Sequence, residues 1–80
     1  MDIERMVKNM VNTSKLKATI VERGMLQEQI AMQLGMTSAT FNYKVNNKTE
    51  FRASEIKKLA EILHLTMEEV FAIFFAEEVE

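Results

Sequence analysis

Apolar residues recur at helical spacing along most of the chain. Ile3, Met6, Val7, Met10 and Val11 fall at i, i+3, i+4, i+7 and i+8, the stripe of an amphipathic helix. Leu16, Ile20 and Val21 mark a second helix, Ile30 and Leu34 a third, Phe41 and Val45 a fourth, and Ile56, Leu59, Ala60 and Leu63 a fifth. The run from Val70 to Phe75 is short and wholly apolar, and periodicity assigns it to neither helix nor strand.

Polar residues and glycines punctuate this pattern. Thr13 or Ser14 caps the helix of Leu16, and Gly24 ends it, since glycine takes the left-handed C′ conformation without strain. A helix from about Leu26 to Leu34 stops at Gly35. Thr37 caps the next, from Ser38 to about Asn46, and Asn46-Asn47 is a turn signal because asparagine tolerates positive φ. Thr66 and Glu69 have the spacing of a capping box and open a last short helix. The expected class is all-α.

Composition narrows the possibilities. Eighty residues make one domain, and one so small buries only ~60% of its unfolded surface. There is no cysteine for a disulfide or thiolate site, and the single histidine, His64, cannot build a metal centre alone. It reads as an ordinary, partly buried residue near a helix end, and the seven methionines read as core filler. No proline and only two glycines suit a helical chain. No apolar run approaches ~18 residues and no signal-peptide pattern is present, so the expected location is the cytoplasm, away from membranes. The net charge is −2, unevenly spread. Residues 1–52 carry eight Lys and Arg against five Asp and Glu, or +3, and residues 53–80 carry two against seven, or −5. One end thus suits an anionic partner.

Ala31, Gly35 and Phe41 lie four and six residues apart. Two short helices that cross steeply bring their backbones close, so a small side chain belongs at the crossing. Gly35 supplies the turn, and Phe41, with Ile30, Leu34 and Val45, fills the wedge beneath. That is the specification of a helix-turn-helix, whose second helix enters the major groove.

The segments Gly24-Met25-Leu26-Gln27-Glu28-Gln29-Ile30-Ala31, Leu34-Gly35-Met36-Thr37, Thr40-Phe41 and Asn46-Asn47-Lys48 resemble the lambda-repressor-like, Cro-type (XRE) DNA-binding domain, as do Ile56–Leu63 and Thr66–Phe71. The closest likeness is to small phage and prophage members. The resemblance spans roughly residues 14–71. It implies a compact five-helix bundle, usually dimeric, that binds operator DNA and regulates transcription. Residues 1–12 are then an N-terminal amphipathic extension, and residues 72–80 an apolar C-terminal tail. Leu26 stands where the family usually has Ser or Thr as a helix cap, and Lys44 where it is often aliphatic.

With Phe41 and Val45 inward, ~100° per residue turns Ala39, Asn42, Tyr43 and Asn46 outward, with Ser38 at the exposed N-terminal end. Ser38, Ala39, Asn42 and Tyr43 are the candidate base readers. Asparagine pairs bidentately with adenine, serine bonds donor or acceptor edges, and alanine meets a thymine methyl. Gln27, Thr37, Lys44, Asn46, Asn47, Lys48 and Arg52 are the candidate phosphate contacts. Gln27 matches the family position that meets a phosphate at a helix N-terminus. Lys44 and Lys48 form an i, i+4 pair of like charges, which suits neighbouring phosphates.

Ile3, Met6, Val7 and Met10 at one end, and Phe71, Ile73, Phe74 and Phe75 at the other, exceed what a minimal core needs. If exposed they form an interface. They could pack on each other within one chain, but the favoured expectation is a twofold homodimer with its recognition helices about 34 Å apart on double-stranded DNA. Two functions follow: a phage-type transcriptional regulator, or an acidic adaptor or antirepressor that keeps the fold without DNA. No nucleophile–base set, metal cluster or phosphate loop suggests an enzyme, a cofactor or a small-molecule substrate.

Overall fold

Asn12 caps the first helix among the described residues, its side chain accepting from the Lys15 amide at 3.1 Å. The computed structural model describes residues 11–75, and within them lie five α-helices and no strand: α1 Thr13–Glu22, α2 Gln27–Gln33, α3 Ser38–Val45, α4 Ala53–Leu63 and α5 Met67–Phe74. The cap of α1 is thus Asn12, one residue before the expected pair. Thr13 is otherwise engaged, its hydroxyl donating to the Val45 carbonyl at 2.6 Å. Thr37 and Thr66 cap α3 and α5 as their spacing predicts, and Glu69 completes the box by accepting from the Thr66 amide at 2.9 Å. Leu26 offers α2 no acceptor, but Gln29 reaches back to its amide at 3.0 Å.

The core joins all five helices: Leu16 and Ile20 from α1, Ile30 and Ala31 from α2, Phe41 and Val45 from α3, Leu59 and Leu63 from α4, and Ile73 and Phe74 from α5. Leu34, Ile56 and Ala60 lie half-buried at its edge. Val21, expected inside, is 76% exposed: Leu16 and Ile20, four apart, already define the buried line of α1. The run at Val70–Phe75 is helical to Phe74. The expected tail therefore starts inside α5, and Ile73 and Phe74 belong to the chain's own core.

Phe51, between α3 and α4, joins this core edge-on. Its ring lies 6.0 Å from Phe41 and 5.7 Å from Phe74, at 68° and 90°, the edge-to-face geometry that aromatic pairs favour. Its position in a connection hid it from any periodic reading.

The methionines divide. Met25 and Met36 pack against the core, while Met32 and Met67 are largely exposed. His64 is exposed too, and forms the C-cap of α4 with φ 55°. No helix among the described residues is long and apolar enough to cross a membrane. Ile3, Met6, Val7 and Met10 lie outside the described residues.

Candidate nucleic-acid interface

The connection from α2 to α3 is three residues and a cap. Gly35 has φ 73°, and the Met36 amide returns to the Ala31 carbonyl at 3.0 Å. That bond folds the chain back over the last turn of α2. Ala31, only 1% exposed, sits in the core with Phe41 and Val45, and α3 packs closely against α2. Small residue, turn residue and anchor thus occupy the places their spacing indicates.

With Phe41 and Val45 buried, the opposite face of α3 opens to solvent. Ser38, Ala39, Asn42 and Tyr43 are all exposed, as is Thr40. No side-chain hydrogen bond within the described residues uses Ser38 Oγ or the Asn42 carboxamide, so both are available to a ligand. The Lys48 amide closes the end of α3 on the Tyr43 carbonyl at 2.8 Å. Lys48 Nζ lies 5.7 Å from the centroid of the Tyr43 ring, within cation–π range. This places a cation beside the exposed ring.

The expected phosphate contacts separate into two groups. Lys48 and Arg52 are exposed at the margin of α3 and at the start of α4, and Gln27 is half-buried at the first position of α2. Thr37 is exposed too, but its hydroxyl is spent on the cap, accepting from the Thr40 amide at 3.1 Å and meeting Thr40 Oγ1 at 3.0 Å. The others are engaged inside the protein. Lys44 Nζ meets Glu55 Oε1 at 2.8 Å, with the two side chains only 12% and 19% exposed. Its position turns it from the open face toward α4, so it is a strut between helices and not a free cation for phosphate. Asn46 Nδ2 donates back to the Asn42 carbonyl at 2.8 Å. Asn47 uses its whole carboxamide on Val11, as donor and acceptor at 2.9 Å each.

Glu55 is the hub that sequence reading missed. The oxygen that meets Lys44 also accepts from the Arg52 amide at 2.9 Å. Burial pushes its carboxyl up, but the hydrogen bonds from Lys44 and Arg52 and the charges of both override this and hold it below the ordinary 4.5. A glutamate three residues after the cap position was the available signal. Arg23 was missed as well. Its Nε donates to the Leu63 carbonyl at 2.9 Å, and its Nη2 meets both Glu69 oxygens at 3.1 Å. One side chain thereby joins the end of α1 to the junction of α4 and α5. The Thr66 amide first, and then Arg23, hold the Glu69 carboxyl below its ordinary value.

Comparison with known families finds a match over residues 10–77. The chain belongs to the family described as protein of unknown function, DUF739. The match covers all five helices and the Val11–Asn47 contact. No curated protein and no solved structure matches the chain.

Proposed function

We propose that this chain is a sequence-specific DNA-binding transcriptional regulator of phage or mobile-element type, working in the cytoplasm through a lambda-repressor-like, Cro-type helix-turn-helix. The supporting observation is the outer face of α3, where Ser38, Ala39, Asn42 and Tyr43 are exposed together while Phe41 and Val45 anchor the helix from behind. A short helix held rigidly on its inner side, with unspent hydrogen-bonding groups on its outer side, suits insertion into a major groove about 12 Å wide. Lys48 and Arg52 flank it for phosphates. Two copies on a twofold operator would each read one half-site. No chemical step is involved; occupancy of the operator alters access of polymerase.

The test is binding to the intergenic DNA beside the chain's own gene, titrated with salt. A specific complex whose log affinity falls linearly with log salt supports the regulator. Absence of any complex at about 50 mM salt rejects it, since phosphate contacts are strongest there. A second reading, an acidic adaptor or antirepressor, draws on the apolar residues left outside on α5, Met67 and Phe71 at 72% and 60% exposed.

A further inference from the structure

The surface that α3 does not explain lies on α4 and α5. An open groove of ≈ 670 Å³ runs between these helices. The half-buried Ile56, Ala60, Leu65 and Val70 line it, and the exposed Lys57, Glu61 and His64 stand on its rim. Met67 lines its edge. On the same helix lies Phe71, 60% exposed, and just past its end Phe75, 38% exposed, their rings 5.6 Å apart. Large apolar side chains exposed this close together on so small a body mark a surface that is covered in use.

The rim suggests the cover. Lys57 and Glu61 are four residues apart on one face of α4, yet they form no ion pair with each other or with another described residue. Lysine preceding glutamate at that spacing is the weaker order for pairing within a helix. Across a twofold axis through the groove, however, each Lys57 can face the Glu61 of a second copy, and the contact is made twice. An isologous interface needs such self-complementarity. Lys57 and Glu61, one helical turn apart on the rim beside His64, supply it over an apolar floor.

We infer that the α4–α5 groove is the self-association surface of this protein, closed by the same groove of a second copy, with Lys57 paired to the partner copy's Glu61 on both sides. The inference gives the dimer of the DNA-binding reading its contact surface, but it stands or falls without DNA.

Sedimentation equilibrium of the DNA-free protein tests it. The wild-type chain is expected to dimerise with concentration. Lys57→Glu and Glu61→Lys each place like charges across the axis twice and are expected to weaken dimerisation at least tenfold. The double variant Lys57→Glu/Glu61→Lys restores opposite charges and is expected to return most of the affinity. Circular dichroism melts confirm that each variant folds. A monomer at all concentrations, single variants without effect, or a double variant no tighter than the singles would overturn the proposal. So would a monomeric chain that dimerises only after residues 2–10 are deleted, since the chain's own N-terminal segment would then be the occupant. A chain that dimerises but forms no DNA complex at about 50 mM salt fails the DNA-binding reading alone, and one that binds its operator but stays monomeric without DNA fails this inference alone.

Discussion

Asn47 and Val11 are joined by two hydrogen bonds across 36 residues of sequence. The Val11 amide donates to Asn47 Oδ1, and Asn47 Nδ2 donates to the Val11 carbonyl, each at 2.9 Å. The neighbouring Asn12 amide donates to the Ile73 carbonyl at 2.7 Å. Val11 and Asn12, just before α1, are thus fixed to the end of α3 on one side and to α5 on the other. Asn47 can do this because its backbone is left-handed, with φ 65°, a conformation that asparagine tolerates better than most residues.

Asn47→Gly and Asn47→Ala separate the two roles of that residue. Glycine keeps the backbone conformation and loses the two hydrogen bonds, for an expected cost of about 1–2 kcal/mol. Alanine loses the bonds and adds left-handed strain, for roughly 1 kcal/mol more. Urea denaturation of both variants measures the difference. Equal stability of the two would remove the strain argument.

Acid should unfold the protein through Glu55 and Glu69. Both carboxyls are held below their ordinary 4.5 in the folded chain. The unfolded chain therefore takes up protons first, so this stability is complete above the unfolded value and is lost as pH falls through the folded values. Melting temperature should accordingly drop below about pH 4.5, and Glu55→Gln should flatten part of that decline. An acid limb unchanged by the substitution would show that the Lys44–Glu55 contact is not coupled to folding.

Phe51→Ala should cost about 2–3 kcal/mol, because it removes two edge-to-face contacts and opens a gap beside Phe41 and Phe74. Phe71→Ala, on a ring that is 60% exposed, should cost less than about 0.5 kcal/mol in dilute protein. Denaturation curves recorded side by side check the contrast.

On operator DNA, Asn42→Ala should weaken specific binding by ~1–3 kcal/mol and leave non-specific binding unchanged. Lys48→Ala should weaken both and lower the salt slope by about 1. Lys44→Ala should leave that slope unchanged, since Lys44 is already neutralised by Glu55. A fall in slope for Lys44→Ala would return it to the phosphate contacts.

The order and approximate ends of α1 to α4 were determined by the sequence, because periodicity and capping act within about one turn of chain. Leu16, Ile30, Phe41, Val45, Leu59 and Leu63 lie buried where their spacing predicts, and Thr37 and Thr66 cap where expected. The ambiguous run at Val70–Phe75 needed the tertiary structure, since a short apolar stretch reads alike as helix or strand, and burial of Ile73 and Phe74 depends on four other helices. Which polar groups are free and which are engaged was likewise decided by folding. Lys44 and Asn47 read as surface groups from their neighbours in sequence. Glu55, 11 residues from Lys44, and Val11, 36 residues from Asn47, bind them instead. Helical phase can say that a side chain leaves its own helix, but the partner it meets is set by a distant segment that only the packed chain brings within 3 Å.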